Sequence, residues 1–95
     1  TMAVYAMVHI DVTDPDSYGK YAELAGPAVQ KYGGEFLARG GACKQMEGKG
    51  RARNVIIRFP DWETALAFYN GPEYQEALKY GLPAAEREYT FVEGV

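Results

Sequence analysis

Residues 3–12, Ala-Val-Tyr-Ala-Met-Val-His-Ile-Asp-Val, alternate between two kinds of side chain. Val4, Ala6, Val8, Ile10 and Val12 fall on one side, and Tyr5, Met7, His9 and Asp11 on the other. A period of two with β-branched residues on one side predicts a strand with one clearly apolar face. Thr13-Asp14-Pro15-Asp16 then predicts a helix start. Either Asp14 caps a helix that begins at Pro15, or Thr13 and Asp16 form a capping box. The helix should run to about Tyr32. Its buried stripe is Tyr18, Tyr21, Ala25, Ala28, Val29 and Tyr32, spaced at helical steps. Gly26-Pro27 predicts a kink or a break, and Gly33-Gly34 a left-handed stop.

A second strand is expected at Glu35–Arg39, and Gly40-Gly41 after it permits a bulge or sharp bend. Gly48-Lys49-Gly50 reads as a turn and Arg53–Phe59 as a third strand ended by Pro60. Asp61 caps a helix with Trp62, Ala65, Leu66 and Tyr69 on one face. Gly71-Pro72 breaks the chain before a short helix through Tyr74 and Leu78, and Gly81 and Pro83 lie in a loop before a last strand at Tyr89–Glu93. The order β-α-β-β-α-β is the ferredoxin-like pattern of the α+β class, with a four-stranded antiparallel sheet. At 95 residues the chain fits a single domain over 1–95, small enough to be marginal alone and a plausible oligomer.

Two helices cover one sheet face, so the other must meet water or a partner. The helix-covered face should hold Val4, Ala6, Val8 and Ile10, then Phe36 and Ala38, then Val55, Ile57 and Phe59. The opposite face should carry Tyr5, Met7, His9 and Asp11, Leu37 and Arg39, and Asn54, Ile56 and Arg58. In the last strand Tyr89 and Phe91 oppose Thr90 and Val92, and either pair suits either face. The second face is too apolar for a solvated surface and too polar for a plain core. Hiding about 400 Å² of its apolar area is worth roughly 10 kcal/mol gross before association costs. A homodimer joined through this sheet face is therefore expected.

The run Tyr32-Gly33-Gly34-Glu35-Phe36-Leu37-Ala38-Arg39-Gly40-Gly41 resembles the hallmark of the DUF1330 family of bacterial proteins. So do Phe59-Pro60, the stretch Ala65–Gln75 and the ending Val92-Glu93-Gly94. The resemblance implies a dimeric α+β barrel, in which two ferredoxin-like subunits join through their sheets, and it implies no established function. Members often place an arginine after the short helix, where this chain has Tyr80-Gly81-Leu82.

His9 is the single histidine, and a histidine titrates near neutrality. It can serve as a general base or as a hydrogen-bonded interface residue. Arg39 and Arg58, expected on the same face, can hold a carboxylate or enolate, or pair with Asp11 or Glu35. Eight tyrosines suit pocket walls and interfaces. Tyr5, Tyr18 and Tyr69 join Arg58 as candidate ligand contacts, and His9 and Arg39 are the candidate catalytic pair. No metal site is expected: a lone histidine would need carboxylate partners, and HxxxH and CxxC spacings are absent. Nucleotide loops and a Gly-x-Ser-x-Gly elbow are absent too, so no cofactor is expected.

Arg51, Arg53, Lys44 and Lys49 make the central hairpin basic, which reads as a solvated turn. A net charge of −3 and a third strand without outward aromatics argue against nucleic acid. No apolar run is long enough for a membrane span. One cysteine, Cys43, and no recognisable signal peptide point to a reduced cytoplasmic setting. Thr1 ahead of Met2 reads as a residue added before the natural start.

The function expected is binding of a small organic molecule. In catalytic form this would be a cofactor-independent proton transfer, with His9 as base and Arg39 or Arg58 stabilising an oxyanion. The pocket is placed either inside the barrel or between sheet and helices near Tyr18 and Tyr69. The competing reading is a non-catalytic dimeric sensing or assembly module, in which His9 and the arginines are satisfied interface groups.

Overall fold

In the computed structural model, which describes residues 2–95, the chain runs β1 (Val4–Val12), α1 (Pro15–Lys31), β2 (Glu35–Arg39), β3 (Arg53–Phe59), α2 (Trp62–Asn70), α3 (Pro72–Gly81) and β4 (Ala85–Glu93). The reading of Thr1 lies outside the described residues. The strands form one antiparallel sheet in the order β2-β3-β1-β4, the ferredoxin-like α+β arrangement. The three helices lie on one face. Val4, Ala6, Val8 and Ile10 of β1 and Val55, Ile57 and Phe59 of β3 are buried beneath them. The smallest extent of the molecule, 17 Å, is that of one sheet plus one layer of helices.

The ends of α1 follow from local chemistry. The Asp14 carboxylate accepts the Ser17 N–H at 3.3 Å, so Asp14 is the cap and Pro15 the first helical residue. Gly33, at φ +77°, turns the chain out of the helix, and Gly34 N–H closes on the Val29 carbonyl at 2.9 Å. The expected break at Gly26-Pro27 does not occur, and α1 is continuous. Proline removes one hydrogen bond to the previous turn, while Ala25, Gly26, Ala28 and Val29 keep the flanking turns packed on the sheet. Pro27 itself faces outward.

Three further details depart from expectation. On α2 Ala65 is buried as expected, together with Phe68, whereas Trp62 and Leu66 are exposed. β4 begins four residues early, because Ala85–Glu88 pair with β1 from Val12 back to His9. This places Ala85, Arg87, Tyr89 and Phe91 on the helix side. In β2 the register shifts between Phe36 and Ala38, so Leu37 is an extra residue. Phe36 faces Ile57, but Ala38 pairs with Ile56 and Arg39 with Val55. The bulge therefore inverts the expected faces: Ala38 turns to the open side and Arg39 to the helix side.

Candidate functional site

The register places four polar side chains in two adjacent rows of the helix-facing sheet surface. One row reads Arg53–Ile10–Arg87 across β3, β1 and β4. The next reads Arg39–Val55–Val8–Tyr89 across β2, β3, β1 and β4. An apolar floor of Val8, Ile10 and Val55 thus lies between cationic flanks. Above it α1 contributes Tyr18, Tyr21, Ala25 and Gly26, and Phe68 and Tyr74 close the back. These residues enclose a cleft open at one side. With its mouth it holds about 460 Å³ of empty space, of which about 40 Å³ admits the centre of a water molecule. The enclosed part is narrow, and a flat ring enters only if side chains at the mouth give way.

Arg39 spans the mouth. Its guanidinium carbon lies 4.1 Å from the centre of the Phe36 ring, a cation–π stack. The same guanidinium rests against α1 at Gly26, where an added Cβ would come within 3.2 Å of it. Arg53 lies over Gly40, whose φ of +66° requires glycine and whose missing side chain leaves room for the guanidinium. Arg87 donates from Nη2 to the Tyr21 hydroxyl at 2.7 Å and to the Tyr74 hydroxyl at 3.0 Å. Those two hydroxyls are 2.8 Å apart and bond each other.

The guanidiniums here can only donate, and the tyrosine hydroxyls can donate as well as accept. Burial pushes the Tyr21, Tyr74 and Tyr89 hydroxyls above the ordinary tyrosine range, so all three stay protonated at neutral pH. One of the Tyr21 and Tyr74 protons fills the bond between them, which leaves the other to donate elsewhere. Arg53 Nε, Arg87 Nε and the Tyr89 hydroxyl are buried and unpaired. A buried unpaired donor costs about 1–3 kcal/mol. Among the described residues no carboxylate lies within 4.0 Å of Arg39, Arg53 or Arg87. The arrangement can hold a flat molecule by its faces and an electron-rich oxygen at its edge.

The opposite sheet face carries the remaining candidates. His9 Nδ1 donates to Asn54 Oδ1 at 2.6 Å, and Asn54 Nδ2 donates to the Arg51 carbonyl at 3.3 Å. Tyr5 is directly across from Arg58. The expected union of His9 with Arg39 fails, because the bulge at Leu37 sends Arg39 through to the other side of the sheet. His9 and Arg39 cannot act on one molecule from one face. Neither Arg39 nor Arg58 pairs with Asp11 or Glu35. Asp11 is held instead by Arg51 at 2.9 Å. Tyr18 lines the cleft, while Tyr69 stands behind it, its ring centre 5.2 Å from Tyr74 and 5.4 Å from Tyr89.

Arg53, Arg87, Tyr21, Tyr74 and Tyr89 were not among the expected site residues. Arg53 shares the parity of Val55, Ile57 and Phe59, which is the signal that would have found it. Arg87 shares the parity of Tyr89 and Phe91, once β4 is extended backwards. Among the described residues no group of three or more His, Cys, Asp or Glu is placed to hold a metal ion. Among the described residues no helix is long and apolar enough to cross a membrane.

Solved structures of similar shape share the fold at low identity. The RPA0582 protein of unknown function from Rhodopseudomonas palustris has a TM-score of 0.80 and 16% identity, over 99% of this chain and 83% of that one. SnoaB from Streptomyces nogalater, described as a cofactor-independent oxygenase, has a TM-score of 0.67 and 8% identity, over 100% and 95%. A dimeric ferredoxin-like protein of unknown function from Thermobifida fusca has a TM-score of 0.59 and 16% identity, over 98% and 92%. No curated protein matches the chain by sequence. The motifs from Tyr32 to Gly94 lie within a match over residues 3–95 to the family described as a domain of unknown function, DUF1330, and the chain belongs to that family.

Proposed function

We propose that this chain is a small-molecule binding protein whose site is the cleft between sheet and helices, and that it works as a homodimer. The observation that carries the reading is an apolar, ring-lined cleft that ends in buried donors without acceptors. Such a site holds its ligand by shape and by a few placed polar groups. Its catalytic form follows from the same donors. Arg53, Tyr89 and the spare tyrosine proton stabilise negative charge on a ligand oxygen, as an enolate or phenolate would present, without a cofactor. The cleft lacks a carboxylate or imidazole to take a proton, so it favours ligands that arrive as anions or ionise readily. The cofactor-independent oxygenase from Streptomyces nogalater shares this fold, which is compatible with such chemistry and does not establish it.

The dimer rests on the open sheet face. Met7, Leu37 and Val92 are 37%, 50% and 43% exposed there, beside half-buried Tyr5 and Ile56. Apolar residues of this number on one flat surface support an interface there. A second copy would bring two such faces together, and similar structures from Thermobifida fusca and Bacteroides fragilis are described as dimeric.

A fragment screen read by the methyl signals of Val8, Val29, Val55 and Ile57 tests the site. Ligands should shift these methyls, and Ala22→Phe, which fills the α1 wall of the cleft, should abolish the shifts. Shifts confined to the open-face Ile56 and Val92 would overturn the assignment. Sedimentation should give twice the monomer mass, and a monomer at micromolar concentration would remove the dimer.

The second reading, a non-catalytic sensing or assembly module, is favoured by one observation: His9 is already bonded to Asn54 on the face assigned to the dimer. In that case His9→Ala weakens dimerisation and leaves ligand binding unchanged.

A further inference from the structure

The charges at one end of the sheet are sorted by face. On the open side Asp11, Glu86 and Glu88 gather around Arg51. On the helix side, in the rows already described, stand Arg39, Arg53 and Arg87, with no carboxylate in pairing range. The sheet itself separates the two groups. Three cations around an apolar floor repel one another, and the half-burial of Arg53 and Arg87 strengthens the repulsion between those two. The chain has the acids to neutralise them and places those acids elsewhere.

Resting on the cleft as the binding site, we infer that its ligand is a flat carboxylate with an aromatic or unsaturated body of about one ring. The carboxylate meets Arg53, which lines the cleft with its Nε buried and unpaired, and the Tyr89 hydroxyl, which is unpaired in the same cleft. A guanidinium edge offers parallel N–H donors that match the two oxygens of a carboxylate. Arg39 closes from the β2 side. Arg87 is already committed through Nη2 to Tyr21 and Tyr74, so it supplies field and orients those hydroxyls. The body of the ligand lies on Val8, Ile10 and Val55 among the rings of Phe36, Phe68 and Tyr74, and side chains at the mouth move aside to admit it. The narrow cleft excludes bulky or polycyclic acids.

Calorimetry with benzoate and with benzamide tests this on the intact protein. The two have the same shape and differ in charge. Benzoate should bind at least about tenfold tighter, with an affinity that falls as salt is raised. Arg53→Met should weaken benzoate about ten- to hundredfold and leave benzamide nearly unchanged. Tyr89→Phe removes only an unpaired hydroxyl, so it should fold as well as the parent and still weaken benzoate about fivefold. It decides the matter if Arg53→Met does not fold. Lys49→Met, in the exposed turn, removes the same charge and should change nothing.

Equal binding of benzamide and benzoate would overturn the carboxylate and leave the cleft as a site for neutral molecules. So would benzoate affinity unchanged in both Arg53→Met and Tyr89→Phe. Sulfate competing with benzoate at equal affinity would overturn the organic body. If neither benzoate, benzamide nor any neutral fragment moves the Val8 and Val55 methyls, the cleft itself fails as the site.

Discussion

Arg51 and Arg53 are two residues apart and serve opposite faces of the sheet. A bend at Ala52 separates them, and its N–H is held by Asp11 at 2.9 Å. Arg51 pairs with Asp11, Glu86 and Glu88, at 2.9, 3.2 and 3.4 Å. It thereby ties the end of the 40–52 segment to β1 and β4. Arg53, first residue of β3, pairs with none of them.

Arg51→Ala leaves three carboxylates crowded at one site. The midpoint of thermal unfolding should fall by roughly 2–5 °C at low ionic strength. The carboxylates are well hydrated and screened, so the loss should shrink in 1 M salt, about one third of the usual Debye length. A deficit of equal size in low and high salt would show that Arg51 acts through packing.

Tyr21, Tyr74 and Arg87 form a closed triangle of hydrogen bonds. Tyr74→Phe should cost about 1–2 kcal/mol, since Arg87 and Tyr21 each lose a buried partner. Arg87→Met should cost a similar amount. The double variant should cost less than the sum, because each change removes a bond the other also removes. Additive costs in denaturant unfolding would mean that the three groups do not act together.

The same tyrosines set an alkaline limit. Burial raises the hydroxyls of Tyr21 and Tyr89 above the ordinary 10.0. A group that binds its proton more tightly folded than unfolded stabilises fully below its unfolded value, and that contribution is lost as pH rises. Stability should therefore decline above about pH 10. Tyrosinate absorbance should appear in two stages, exposed tyrosines first and these only with unfolding. A single smooth titration without unfolding would refute the burial.

Gly34 is held by space. Its φ is ordinary, but a Cβ there would come within 2.6 Å of Val29 Cγ1 and 2.8 Å of Phe59 Cε1. Both side chains are among the most buried in the core. Gly34→Ala should cost about 1–3 kcal/mol by chemical denaturation, as overpacking does. A neutral result would show that the core under β2 can yield.

Alternation made β1 and β3 legible from residues alone, because apolar residues, most of them β-branched, recur at every second position from Val4 to Ile10 and from Val55 to Phe59. The helix ends were legible for a similar reason: Asp14, Asp61 and Gly33 each have a local backbone role. β4 was read short because its first half, Ala-Glu-Arg-Glu, mixes charge with alternation and resembles a solvated loop. The site was only partly legible. Tyr18 lines the cleft from the expected buried stripe of α1, but Arg39 lies on the other face from the one its parity predicts, since parity fails across an extra residue and neither neighbour of Leu37 marks a bulge. Gly40-Gly41 drew the expectation of a bulge a few positions too late. Arg53 was read as turn charge because two lysines and Arg51 lie close to it in the chain.

The extra residue at Leu37 means that side-chain orientation after it depends on a count of one. The same residues paired without the bulge would set Arg39 opposite Asn54 on the open face and point Ala38 at Val55, with no change in composition. Similar chains that differ only in whether this bulge forms would thus keep the architecture and exchange what lies at the cleft entrance for what lies on the opposite surface. Likeness of shape across such a slip would say little about which molecule either chain admits.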